Sequence, residues 1–212
     1  MKISCSLALV MTCCLCAPSL AGVQPANSDI AVDDSFDRNE LGTVWTANAG
    51  SWKISDGVLC GSELTADEHS AVIRRTVETR NAVYDLKFRF VRQGKTFHLG
   101  FDPKSEESDK KGHLFSVIMT PTSWKIQKHR DKKRPDDDPD MTIASRSASF
   151  LSGQWYSLRI TTWGPYVTAR IEGVGTLKGS HRSFDVSKPA LIFRCAGDGV
   201  EIDSLKVFTQ KK

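Results

Sequence analysis

The sequence predicts an all-β domain: a sandwich of two antiparallel sheets. Three observations carry this. Apolar and polar residues alternate with a period of two along most of the chain, no stretch shows a helical stripe of useful length, and Gly, Pro, Asn and Asp punctuate the runs at short intervals. The runs number about a dozen, which suits two packed sheets better than the runner-up, an eight-stranded up-and-down barrel.

The N-terminal residues stand apart from this pattern. Met1 and Lys2 give a short positive start, and "LALVMTCCLCA" (Leu7 to Ala17) is apolar but too short to span a bilayer. Ser19 and Ala21 then place small residues three and one before a cut. Residues 1–21 therefore read as a secretory signal peptide cleaved after Ala21, and the mature chain is expected in a secreted or periplasmic location. A membrane anchor lacks the apolar length. Lipoprotein processing lacks the small-residue pattern ahead of Cys13, Cys14 and Cys16. A polar lead-in (22–32) follows, and the domain proper runs over 33–208.

The domain opens with "DDSF" and ends with "GDGVEIDSLKVF", read as two edge-closing strands that bring the termini together. "SWKISDGVLCGSE" is a hairpin. Trp52 and Ile54 point inward, Asp56-Gly57 makes a primed turn, and Val58 to Cys60 returns. "AVYDLKFRFV" sets Tyr84, Leu86, Phe88 and Phe90 against Asp85, Lys87 and Arg89; "KTFHLGFD" sets Phe97, Leu99 and Phe101 against His98. "HLFSVIMT", "SWKIQKH", "QWYSLRITTW", "YVTARIEG" and "ALIFRCAG" continue the alternation. The expected core holds Phe36, Trp45, Trp52, Leu59, Tyr84, Leu86, Phe88, Phe97, Leu99, Phe115, Val117, Trp155, Leu158, Ile160, Ile171, Phe193 and Val207. Two long charged stretches, Asp102 to Lys111 and Lys128 to Asp140, are expected at one rim, where binding loops usually lie.

Cys60 and Cys195 are the cysteines left after cleavage. They read either as two buried free thiols or as a disulfide in a compartment where one persists. The formal net charge of +4 arises from mixed signs, and "KSEESDKK" and "KHRDKKRPDDDPD" interleave acids with bases. With no face of one sign, nucleic acid is excluded as a partner.

The segments "DSFDR", "SWKISDGVLCGSE", "AVIRR" and the closing "GVEIDSLKVF" together resemble the concanavalin A-like lectin/glucanase superfamily. Within it the chain is most similar to the secreted 3-keto-disaccharide hydrolase-like domain, also described as 3-keto-glucoside lyase/hydratase-like. The resemblance runs from Asp33 to Phe208 and implies a jelly-roll with one concave sheet and a carbohydrate as partner. The E-x-D-x-E strand motif of family-16 glucanases is missing. The "NSGI" and "GxExQ" segments of the keto-disaccharide type are altered to "KTFHLGFD" and "KGHLFSVIM", without the acid.

The candidate site is accordingly built from bases. His113, His98 and Arg89 are the catalytic candidates, because an imidazole can remove the proton beside a carbonyl that a 3-keto sugar offers. Gln127, His129, Arg159, Trp163 and His181 are the candidates for holding sugar hydroxyls or stacking on a ring. The alternation places Arg89, His98, His113, Gln127 and Arg159 on the concave face, with Trp163 at its edge. A calcium ion held by Asp34 and Asp203 is the inorganic expectation, with loop carbonyls completing the shell. Function stays open between a sugar-active enzyme, a lectin-like binding module without turnover and a structural cell-envelope protein.

Overall fold

A computed structural model describes residues 24–211. The signal-peptide reading of residues 1–21 lies outside the described residues. Among those described, fifteen strands run in chain order. They are β1 (Ser28–Asp34), β2 (Trp45–Ala49), β3 (Ser51–Ser55), β4 (Val58–Ser62) and β5 (Ala71–Thr79). There follow β6 (Ala82–Phe90), β7 (Gly94–Phe101), β8 (Phe115–Thr120), β9 (Ser123–Lys128) and β10 (Met141–Ser147). The last five are β11 (Tyr156–Trp163), β12 (Tyr166–Ile171), β13 (Gly175–Ser180), β14 (Lys188–Gly197) and β15 (Val200–Gln210). Two short 3-10 turns, Thr65–Asp67 and Arg182–Phe184, are the helical pieces among the described residues, and no helix there is long and apolar enough to cross a membrane.

The strands form two antiparallel sheets packed face to face. The back sheet has the order β13-β12-β11-β6-β15-β4-β3, with β1 also on β15; the front sheet runs β10-β9-β8-β7-β14-β5-β2. β1 and β15 do bring the termini together, pairing Ser28 with Gln210. β15 is central, however: β6 lies along one side, while β1 and β4 share the other.

Alternation explains the core. Tyr84, Leu86, Phe88 and Phe90 on β6 and Phe97, Leu99 and Phe101 on β7 are buried, and their rings stitch the sheets together. Phe88 meets Phe97 at 5.2 Å between centroids, and Tyr84 meets Phe101 at 4.9 Å. The β3–β4 hairpin turns at Asp56 and Gly57, both left-handed at φ 53° and 73°, which is the primed turn that matches strand twist. Opposite Trp52, Gly61 leaves room for the indole: a Cβ there would stand 2.3 Å from the ring. A tryptophan, a turn and a glycine-containing return strand are thus one packing unit.

Two expectations are corrected. Trp155 is 36 % exposed, because Tyr156 takes the inward phase shared by Leu158 and Ile160; Trp155 lies beneath the Arg89 guanidinium, 4.5 Å from it. Cys60 and Cys195 are free thiols rather than a disulfide. Cys195 points into the core from the front sheet, whereas Cys60 alternates with buried Leu59 and so faces out of the back sheet.

Candidate functional site

The two sheets treat their outer faces differently. On the front sheet, residues with outward phase are themselves covered: Val72, Ser116, Ile118 and Ile192 are all buried. The charged stretches 102–113 and 128–140 wall this face. They do not wave in solvent but interlock. The Lys111 N–H donates to Asp131 Oδ1 at 3.0 Å, Lys132 N–H donates to the Lys111 carbonyl at 2.9 Å, and Arg134 reaches Asp109 at 2.9 Å. Between the loops lies a cleft of about 1050 Å³.

Cross-strand register builds its floor. Arg194 on β14 pairs with His98 on β7, and His98 in turn with Ile118 on β8; Ser116 on β8 pairs with Gln127 on β9. His113 and His129 stand at the mouths of the loops beside these rows. Their rings are 5.6 Å apart, and His129 Nε2 lies 2.8 Å from Ser116 Oγ. Gln127 donates to Asp140 Oδ1 at 3.4 Å, and the Arg130 N–H reaches the same atom at 3.0 Å.

The cleft lining contains a dyad. His113 Nδ1 is 2.6 Å from Asp102 Oδ1, and Arg74 donates to the other oxygen of the same carboxylate. Arg194 Nη1 stands 3.5 Å from His113 Nε2. Arg194 can only donate and an ionised carboxylate can only accept, so for the neutral ring the tautomer follows: Nδ1–H points to Asp102, and the Nε2 lone pair faces the Arg194 guanidinium. Burial acts to raise the pKa of Asp102, but hydrogen bonds from His113 and Arg74 outweigh it and hold the carboxyl below its ordinary range. Asp140 is likewise lowered against its burial, by Arg130 N–H and Gln127.

The other two imidazoles are neutral. Burial, then the charge of Arg194 and the neighbouring His129, His113 and Lys125, lower His98 to about 3; its Nδ1 is buried and meets no protein partner. Burial, then His113, Arg194 and Lys110, with Asp140 opposing, lower His129 to about 4. An unfolded histidine titrates near 6.5 (about 6.5), so below that pH the unfolded chain binds more protons than the folded one. Stability therefore falls as pH drops from 6.5, the His129 share being spent near pH 4 and the His98 share near pH 3. The lowered carboxylates lose their stabilisation in the same direction, at still lower pH. The expected result is a loss of up to roughly 6 kcal/mol of unfolding free energy from the two rings between about pH 7 and pH 4, measured by urea titration. A level profile across that range would overturn the burial of both rings.

The structure brings His113, Gln127 and His129 to the lining of this cleft, leaves His98 in the sheet row beside Arg194 and outside the lining, and places the remaining candidates elsewhere. Arg89 and Arg159 lie on the outer face of the back sheet, paired with Glu201 at 2.5 Å and Asp85 at 2.6 Å. Their phase relative to the core is the one expected, but their sheet is the opposite one. Trp163 is 56 % exposed at the tip of the β11–β12 hairpin, across from Tyr166. His181 starts the second 3-10 turn, its Nδ1 accepting from the Ser183 N–H and lying 2.8 Å from Ser183 Oγ, and lines a separate hollow beside Lys128 and Asp138.

The proposed calcium pair does not assemble either. Both Asp34 oxygens are taken by Arg38, Trp45 Nε1–H and the Phe36 N–H, while Asp203 pairs with Lys87. Among the described residues no group of three or more His, Cys, Asp or Glu is placed to hold a metal ion. Sequence reasoning missed Arg74, Asp102, Ser116, Asp140 and Arg194. Arg74 and Arg194 did carry a signal, as charged residues of outward phase inside "AVIRRTV" and "ALIFRCAG".

No protein-family model matches the chain, and no curated protein matches it. Solved structures do. The chain is similar to the carbohydrate-binding module CBM66 from Bacillus subtilis, with 13% identity, a TM-score of 0.56, and 79% of this chain and 93% of that one covered. It is similar to SCLam, a non-specific endo-beta-1,3(4)-glucanase from family GH16, with 10% identity, a TM-score of 0.65, and 90% and 94% covered. It is also similar to a GlcNAcα1-4Gal releasing endo-β-galactosidase from Clostridium perfringens, with 11% identity, a TM-score of 0.63, and 89% and 64% covered. At these identities the likeness establishes the concanavalin A-like jelly-roll fold.

Proposed function

We propose that the front-sheet cleft binds a carbohydrate and that His113, oriented by Asp102, removes a proton beside a carbonyl group of that sugar. The carrying observation is the dyad: an ionised carboxylate on Nδ1 and the Arg194 guanidinium at Nε2, with all three residues lining the cleft. Proton removal leaves negative charge on the neighbouring oxygen, and Arg194 stands where that charge builds. The charge can then expel a glycosidic oxygen from the next carbon. A 3-keto-glycoside offers that arrangement, in keeping with the resemblance to keto-disaccharide hydrolases. The jelly-roll neighbours, whose names include binding modules and glycosidases, support the carbohydrate part of this reading. With the N-terminal segment read as a signal peptide, we infer that the protein works outside the cytoplasm.

Two-carboxylate glycoside hydrolysis is not the chemistry proposed. It needs one protonated carboxylic acid, and both Asp102 and Asp140 are held below the ordinary range. The same observation favours a second reading, a glycan-binding module without turnover. A panel of 3-keto-glucosides and unmodified glycans separates the two when binding and release of the leaving group are both measured. Release from the keto-glucosides and not from their neutral unmodified counterparts is the expected result. Binding of unmodified glycans with no release from any substrate would leave the module, and no binding of any sugar would remove both.

A further inference from the structure

The charge lining the cleft is unbalanced in a specific way. Each carboxylate there is already engaged: Asp102 by Arg74 and His113, Asp109 by Arg134, and Asp140 by Arg130. Of the cations, Lys110 is tied to Asp138. Lys111, Lys132 and Arg194 line the cleft, and among the described residues none of them forms an ion pair with a carboxylate. Arg194 is the telling one. It sits on the floor beside a second guanidinium, Arg74, on the neighbouring strand β5, and its Nε is buried without a protein partner. Burial, and then the like charge of Arg74, push its pKa below the usual arginine range. A half-buried guanidinium kept next to another, with unused donors, is a site that an anion completes.

We infer that the carbohydrate taken by this cleft is acidic, a glycan carrying uronate carboxylates, with Arg194 pairing the carboxylate whose neighbouring C–H faces His113. A carboxylate fits better than a sulfate ester because of where Arg194 stands, 3.5 Å from Nε2. The anionic group and the removable proton must then sit on adjoining atoms, as they do on the ring carbon that bears a uronate carboxylate. Lys111 and Lys132, on the loop wall, meet the acidic groups of flanking residues. This assignment rests on the base role of His113 given above.

The chemistry closes without an oxidant, a reductant or water. Nε2 takes the proton from the carbon bearing the carboxylate, and the C–H electron pair moves into that carboxylate, whose added charge rests on Arg194. The pair then returns to form a carbon–carbon double bond with the next ring carbon as the bond from that carbon to the glycosidic oxygen breaks. The departing oxygen keeps those electrons and takes up the proton carried by His113.

Titration calorimetry with four probes of matched length tests the assignment: an oligogalacturonate, a sulfated galactan oligosaccharide, a neutral gluco-oligosaccharide and its 3-keto form. The oligogalacturonate is expected to bind at least tenfold tighter than the neutral sugar, with a preference that shrinks as salt is added. It should also be cut with the ultraviolet absorbance of a conjugated double bond. Arg194→Gln should lose tenfold or more in uronate affinity, and Lys111→Ser with Lys132→Ser a smaller amount. Equal affinity for uronate and neutral sugars, or an equal preference for the sulfated one, overturns the carboxylate assignment. Turnover of the 3-keto probe with the uronate ignored also removes this inference and leaves the proposed function standing. No binding of any of the four removes the proposed function itself.

Discussion

Phe88→Ala is expected to cost about 3–5 kcal/mol of folding free energy. Phe88 is fully buried at the centre of the sandwich, and its ring lies 5.2 to 6.1 Å from those of Phe97, Tyr156, Phe90 and Phe150. These partners come from both sheets and from the segment before β11, so no single element can shift to fill the space. The cost combines lost transfer energy with a residual cavity, and a rigid aromatic cage keeps the cavity open. Urea unfolding should show a lower midpoint at unchanged slope, and the melting temperature should drop by roughly 10 °C for a domain of this size. If Phe88→Ala melted like the parent, the strand phase that sends Arg89 outward would be wrong, and the description of the back sheet with it.

That phase was legible because a period-two pattern depends only on neighbours along the chain. Where a strand lies deep in its sheet, as β6 and β7 do, every second residue has to be apolar and the sequence says so. Trp155 shows the limit. It precedes the first residue of β11, outside the ladder, where alternation no longer binds and a cation on the next strand can claim the ring.

The site was half legible for a different reason. Arg89 and His98 both alternate with core phenylalanines, and both do point away from the core. Alternation is blind to which sheet a strand joins, because that is decided by pairing between segments distant in sequence. β6 pairs with β11 and β15, β7 with β8 and β14, and the two outward faces look in opposite directions. The histidines sorted together because β7, β8 and β9 are neighbours in one sheet. Arg194 comes nearly a hundred residues later (roughly; contact by sequence separation of this order is the costly kind) and was out of reach for the same reason. The cysteines repeat the lesson: similar strand-like runs put Cys60 outside one sheet and Cys195 inside the other.

His113→Ala is expected to lower turnover by about 10²–10⁴-fold while leaving sugar affinity within a few-fold of the parent. The substitution removes an imidazole that lines the cleft, yet Asp102 keeps Arg74 and so does not become an unpaired buried charge. The fold should therefore survive, which far-ultraviolet dichroism and the melting temperature check. Asp102→Asn is the sharper variant. An amide at that position can donate to Nδ1, which would force the proton onto Nε2 and turn the lone pair away from the substrate. The imidazole would still be present and still be able to hold a hydroxyl, so binding should persist as the rate falls. A role for His113 in packing alone predicts the reverse: His113→Ala would lose stability, and Asp102→Asn would change the rate little. A residue that only grips the sugar predicts a raised KM at unchanged kcat. The base assignment stands if kcat falls in both variants with KM nearly level, and it fails if either variant turns over like the parent.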